Sequence, residues 1–195
     1  MAFAPSLALI IQIFVLLNPL SSFPLLMSAY KQKMNVKKVA FISVVTAFVI
    51  AVIIAVVGPS LFSLFGISLN SFRIAGGVVL LLLGLDTIKP KHEKEAKVEG
   101  VEGLISIIAT PLLTGPATIS FITIKAYEIG QAAILFNLFM AFILVGIVFI
   151  LFAYSVPRVN IHIVDISSRI LGLFLTAVAI EMIASGTIAI ISATA

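Results

Sequence analysis

The sequence predicts an all-α membrane protein of six transmembrane helices in two inverted-topology repeats of three, with broken first and fourth helices. Three observations predict it. The chain is 62% hydrophobic and only 10% charged, with a mean hydropathy of +1.29, whereas soluble domains carry roughly 25% charged residues. Six apolar stretches, each near the roughly 20 residues that a span requires, take up almost all of the 195 residues. The first and fourth stretches also carry matching Pro-x₄-Pro segments, Pro19/Pro24 and Pro111/Pro116, related by a single offset of 92 residues.

The spans are expected at Ser6–Ala29, Val39–Val57, Asn70–Ile88, Leu104–Ile124, Ala132–Tyr154 and Ser168–Ile191. The N-terminal stretch has no basic flank and stays uncharged to Tyr30, too long for the core of a cleaved signal, so it reads as a retained span. The second span is expected to end at Gly58-Pro59, leaving Ser60–Leu69 as an interfacial or re-entrant connection. The charged linker Lys89–Gly103 divides a single transmembrane domain into repeat one, residues 1–88, and repeat two, residues 104–195.

Further matches extend the repeat. Ala47-Phe48-Val49-Ile50 aligns with Ala141-Phe142-Ile143-Leu144 at offset 94, and Ser71-Phe72-Arg73-Ile74-Ala75-Gly76 with Ser167-Ser168-Arg169-Ile170-Leu171-Gly172 at offset 96. Three spans is an odd number, so the second repeat must enter the membrane from the opposite face. Basic residues orient the chain. With the N-terminus outside, ten lysines and arginines lie on the inner side and only Arg73 and Lys125 on the outer. A cytoplasmic, or inner, membrane location with both termini outside follows. The same clustering at span ends accounts for the net charge of +4 without nucleic acid as a partner. The absence of cysteine excludes disulfides.

The breaks carry the functional expectation. Proline removes a backbone donor and clashes with the preceding turn. Broken backbone at membrane depth is tolerated only where it is enclosed by protein or lines a cavity. Two such breaks in corresponding places point to a transporter site. Asn18, Pro19, Ser21 and Ser22 at the first break, with Thr110, Pro111, Thr114 and Gly115 at the second, are the candidate substrate-binding residues. Ser21 or Ser22, and Thr114, are expected to cap the half-helices that follow. A half-helix N-terminus attracts a carboxylate, and the carbonyls freed before each break attract an ammonium or a cation. A small zwitterion suits both. The competing reading is a proline kink repaired by a neighbouring hydroxyl. Ser43 and Asn137, aligned by the repeat, are candidates for polar lining, or else for interhelical hydrogen bonds alone.

Charges within spans are few. Arg73 and Asp86 are separated by twelve uncharged residues, and Arg169 and Glu181 by eleven. Twelve residues span only about 18 Å of helix. Glu181 is followed by fourteen uncharged residues, which places it in the hydrocarbon layer, and Asp86 occupies a similar place in repeat one. Both are candidates for coupling transport to an ion, the alternative being structural pairing. No metal-ligand spacing, nucleophile elbow or phosphate loop is present, so neither a cofactor nor an enzyme activity is expected.

Leu17-Asn18-Pro19-Leu20-Ser21-Ser22-Phe23-Pro24, Phe72-Arg73-Ile74-Ala75-Gly76-Gly77, Gly84-Leu85-Asp86 and Thr110-Pro111-Leu112-Leu113-Thr114-Gly115-Pro116 together resemble the MarC family of six-span membrane proteins. The resemblance covers essentially the whole chain. It implies a secondary active transporter of small neutral amino acids, glycine and alanine, of the SnatA type, coupled to a proton or sodium gradient. An exporter of drugs or metabolites with the same architecture, or a channel, remains the alternative. The implied partners are the amino acid, the coupling ion and the lipid bilayer. A homo-oligomer is compatible with the pattern.

Overall fold

A computed structural model describes residues 6–89, 100–156, 158–159 and 161–194. Most of the charged linker, with His92, lies outside the described residues, as do the side chains of Thr110 and Pro111. The described residues are helical throughout, with no strand. In a bilayer each helix satisfies its own backbone groups, which an open strand cannot.

Helix α1 spans Leu7–Leu17 and is capped by Ser6, whose Oγ accepts from the Leu9 N–H at 3.3 Å. A 3-10 turn, Pro19–Ser22, leads into α2, Phe23–Lys31. Helix α3, Val36–Phe65, starts at Asn35, whose Oδ1 accepts from the Lys38 N–H at 3.1 Å, and stops at Gly66, where φ is 63°. Helix α4 is Leu69–Ile88, capped by Ser68. In the second half, α5 (Val101–Ile107) passes through a π-helical segment, Ile108–Leu113, before α6, Pro116–Ile129. Helices α7, Gln131–Ser155, and α8, Ile161–Thr194, complete the chain.

Among the described residues, five stretches are long and apolar enough to cross a membrane: Leu7–Lys31, Val36–Ser60, Leu69–Ile88, Gln131–Ser155 and His162–Ala193. The fourth expected span is not among them, because the π segment divides it. Its longer piece, α6, has 14 residues, or about 21 Å at the helical rise. Two boundaries differ from the sequence reading. Helix α3 continues through Gly58-Pro59 to Phe65, so no separate re-entrant segment forms. Gly58 there lies against Thr123 of α6, and a Cβ at Gly58 would approach Thr123 Oγ1 to 2.6 Å. Helix α8 begins about two turns early, where Asp165 and Arg169 pair one turn apart.

Large apolar side chains such as Leu82, Phe174 and Ile188 are exposed, while the interior combines large ones such as Phe23 and Phe149 with an alanine-lined face on α3. That is the membrane pattern, in which close backbone approach supplies the packing energy. On α3 the buried face runs Ala40, Ser43, Ala47, Ala51, Ala55; on α7 it runs Ile134, Asn137, Ala141, Val145, Phe149. Every member of the first set is 94 positions from its counterpart in the second. The two helices pack antiparallel. Lys37 Nζ lies 3.8 Å over the Tyr154 ring at one end, Phe48 meets Phe142 at 5.3 Å in the middle, and Gln131 Nε2 donates to Val56 O at 2.8 Å at the other. Helices α4 and α8 also run antiparallel along their length. A Cβ on Gly84 would lie 3.1 Å from Gly172 O, one on Gly77 3.0 Å from Ala179 O, and one on Gly186 2.9 Å from Asn70 O.

Candidate functional site

The first break forms because Pro19 cannot donate to the α1 ladder. The chain turns at Asn18, which has φ 40° and ψ 62°, a left-handed conformation that asparagine tolerates better than most residues. Its N–H is shared between Phe14 O and Val15 O at 3.2 and 3.1 Å. At the second break, Pro111 and Pro116 loosen the ladder into a π turn. The Thr114 N–H donates to Ala109 O at 3.0 Å, Thr114 Oγ1 donates to the same carbonyl, and Thr118 Oγ1 donates to Leu113 O at 3.2 Å. Hydroxyls thus repair this ladder from within. The two breaks touch each other.

The capping expected of these hydroxyls is not what forms. Thr114 bonds back into the π turn, and Gly115, extended at φ −76° and ψ 175°, takes the cap position of α6 with no side-chain cap bond. Ser21 Oγ lies 3.2 Å from Ser168 Oγ on α8, tying the first break to the last helix. Ser22 stands at the cap position of α2, yet its Oγ has no partner among the described residues.

Two further oxygens share that condition: Asn18 Oδ1 and Ser43 Oγ are also buried without a hydrogen-bond partner. Asn18 is 5% exposed, and Ser22 and Ser43 are fully enclosed. Ser43 continues the Ala47–Ala51–Ala55 stripe of α3. Counting back through the α2–α3 hairpin puts it at the level of Phe23, about 10 Å along each helix from the loop. Buried polar groups are ordinarily satisfied, and each orphan costs about 1–3 kcal/mol. Asn18 Oδ1 and Ser22 Oγ thus have no partner at the first break among the described residues, nor does Ser43 Oγ on α3.

Asn137, aligned with Ser43, has a different setting. Its Oδ1 accepts from the Ser6 N–H at 2.9 Å and its Nδ2 donates to Ala133 O at 2.8 Å, so it holds the start of α1. Asp86 is exposed on the last turn of α4. Glu181 is likewise exposed rather than enclosed. Glu181 opens into a cleft of about 470 Å³ between α1, α4, α6 and α8, with Gln12, Arg73, Lys125, Glu128 and Ser185. Sequence reading passed over this cleft, although Gln12, a lone amide within an apolar helix, signalled it. Glu128 Oε1 pairs with Arg73 Nη2, and its Oε2 accepts from Lys125 Nζ at 2.8 Å. Desolvation pushes the Glu128 pKa up, but the hydrogen bonds and charges of Lys125 and Arg73 outweigh it and hold the carboxyl below its ordinary 4.5. No group of three or more His, Cys, Asp or Glu gathers among the described residues.

Residues 4–191 match the family model of the MarC family integral membrane proteins. The chain belongs to the MarC family. It is 34% identical over 188 residues to a UPF0056 membrane protein of Methanocaldococcus jannaschii, covering 89% of this chain and 91% of the relative. It is 29% identical over 190 residues to the UPF0056 membrane protein YhcE of Escherichia coli, covering 90% and 88%. No solved structure matches the chain. This MarC protein is thus an integral, multi-pass membrane protein with Asn18, Ser22 and Thr114 buried where its two breaks meet.

Proposed function

We propose that this MarC protein is a secondary active carrier of small neutral amino acids, of the SnatA type, with glycine and alanine as substrates. The observation that carries the reading is the pair of buried, unpartnered oxygens on Asn18 and Ser22 where two helix breaks meet, with a third on Ser43 of α3. An ammonium group, with three donors and no acceptor, satisfies Asn18 Oδ1, and the Ser22 and Ser43 hydroxyls can accept from it or donate to the carboxylate. The uncapped start of α6, with buried Ala117 and Thr118 in its first turn, offers N–H groups and a positive helix end to the carboxylate. Enclosure of these residues favours the smallest side chains.

The same reading treats the chain as two inverted repeats, with α5, the π segment and α6 together making the sixth crossing. The antiparallel pairing of α3 with α7 and of α4 with α8 supports it. A twofold axis in the membrane plane sets equivalent helices antiparallel, whereas an axis along the normal would set them parallel. Phe48 and Phe142, equivalent in sequence, meet each other, as residues beside such an axis must. The basic-residue count favours the cytoplasmic membrane with both termini outside. The chain is read as a carrier and not an enzyme, with a proton or sodium ion as its co-substrate.

Reconstitution tests this. Proteoliposomes should accumulate labelled glycine and alanine under an imposed proton or sodium gradient, and the accumulation should collapse when the gradient is dissipated. Uptake no greater than in protein-free liposomes under both gradients would overturn the reading.

A further inference from the structure

The Glu181 cleft is distinct from the breaks. Gln12, on its wall, is six residues before Asn18, about 9 Å along α1. The cleft lies at the end of the bundle that carries the chain start, where Ser6 meets Asn137 and Asn70 meets Gly186. It therefore opens near that face of the protein. Its volume is in the range of small-molecule sites.

Its charges are arranged in a particular way. On the α4 and α6 wall, one carboxylate, Glu128, is shared by two cations, Arg73 and Lys125, so this wall keeps a positive excess. On the α8 wall, Glu181 has no charged or hydrogen-bonded partner among the described residues. The cleft is neutral in sum but dipolar across its width. An anion alone would leave Glu181 unmatched, and a cation alone would leave the Lys125 side unmatched. A molecule bearing both charges matches both walls. Lys125, with 30% of its side chain exposed, is the more accessible of the two cations; Arg73 is 15% exposed. Ala177, Val178 and Met182 add an apolar surface on the α8 wall beside Glu181.

We propose that this cleft is a second, docking site for zwitterionic amino acids, with Glu181 receiving the ammonium and Lys125, backed by Arg73, receiving the carboxylate. The site feeds the breaks, so the inference rests on the carrier reading for its purpose but not for its test.

The chain contains no cysteine, so Ser185→Cys places a single thiol on the cleft wall. The probe is a membrane-impermeant methanethiosulfonate, with reaction rates measured on the purified protein in proteoliposomes. The thiol should react from the face that carries the chain start. Glycine at roughly ten times its apparent dissociation constant should slow the reaction about tenfold, as simple competition requires. Ethanolamine, a cation only, and glycolate, an anion only, should protect far less at the same concentration. Adding Glu181→Gln or Lys125→Gln should abolish protection by glycine, whereas Glu181→Asp, which keeps the charge, should retain it. Protection should also survive Asn18→Gly, which removes an oxygen from the breaks and nothing from the cleft. An unreactive thiol, equal protection by all three compounds, or full protection in the Glu181→Gln protein would each overturn the proposal. Loss of protection in Asn18→Gly would also overturn it, by tracing the effect to the breaks. Normal glycine uptake with no protection sinks the docking site alone. Protection without uptake in any gradient sinks the carrier reading alone.

Discussion

Asn18→Gly isolates one oxygen from the backbone that presents it. Asn18 holds φ 40° with its Oδ1 buried and unpartnered. Glycine adopts that conformation without a Cβ clash, so the break should survive. Removing a buried, unsatisfied acceptor returns about 1–3 kcal/mol. Against this stands the larger conformational freedom of unfolded glycine, about 0.4–1 kcal/mol. The ligand-free variant should therefore be as stable as the parent or up to about 2 kcal/mol more stable. For a chain of this size, each kcal/mol is worth roughly 2–4 °C in the thermal midpoint. Binding should move the other way. A hydrogen bond to a charged group contributes about 1.5–3 kcal/mol, so glycine affinity should fall by about one to two orders of magnitude. Asn18→Ala removes the same oxygen but forces a Cβ into the left-handed region, at a cost of about 1–2 kcal/mol, and should melt below Asn18→Gly. The assay is thermal unfolding in detergent, with and without saturating glycine, beside glycine uptake in proteoliposomes. An Asn18→Gly protein that melts well below the parent and still transports glycine with unchanged affinity would refute the reasoning. It would mean that Oδ1 is structurally bonded and that the substrate does not use it.

Gly84→Ala should destabilise the protein by about 1–3 kcal/mol, because its Cβ would lie 2.9 Å from the Thr176 N and 3.1 Å from the Gly172 O, backbone atoms that cannot step aside. Gly146→Ala is the control, its nearest neighbour being Val44 Cγ1 at 4.0 Å, and its thermal midpoint should not fall. A pH prediction follows from Glu128, whose folded pKa is below its ordinary 4.5. Its pairing with Arg73 and Lys125 stabilises the fold above pH 4.5, and that contribution is lost as pH falls through the folded value. The drop in thermal midpoint over this acid range should shrink in Glu128→Gln, and an unchanged drop would assign it to other groups. Finally, Ser21→Ala and Ser168→Ala should be non-additive in a double-mutant cycle by about 1 kcal/mol, since their hydroxyls lie 3.2 Å apart; strict additivity would mean that the contact contributes nothing.

The breaks were legible in the sequence because proline acts on the backbone whatever surrounds it. Asn18 turns the chain where Pro19 ends the ladder, and Pro111 and Pro116 flank the π turn. The use of each hydroxyl was not legible. Whether Thr114 caps α6 or bonds Ala109 O depends on a π turn that brings that carbonyl within reach. Ser21 finds Ser168 only because α8 packs on the first break. Gly58-Pro59 reads as a helix end, yet α3 runs on, since a missing N–H is tolerable where Gly58 sits tightly on Thr123. The Glu181 cleft needs four helices from both halves, and no local pattern encodes that meeting. Repeat matching fared better for position than for role. Ser43 and Asn137 occupy equivalent places on buried faces, but one is orphaned beside a break and the other holds Ser6.

Equivalent positions in different settings are also what an alternating carrier requires. If the two repeats exchange roles during transport, no single conformation can treat them alike. Arg73 and Arg169 are equivalent at offset 96, yet Arg73 bridges from α4 to Glu128 on α6, whereas Arg169 pairs within its own helix with Asp165 and leaves its Nε without a partner. The end of the bundle near Arg73 is laced across helices around an open cleft, and the end near Arg169 is joined to the first break by two hydroxyls. Sequence contributes to this asymmetry. The positions in repeat one that correspond to Glu128 fall among Met34, Asn35 and Val36, none of them acidic. The Arg73–Glu128 pair therefore has no twin at the equivalent positions of repeat one. Under the carrier reading, opening at the Arg73 face should quicken as salt rises, since screening weakens an exposed ion pair.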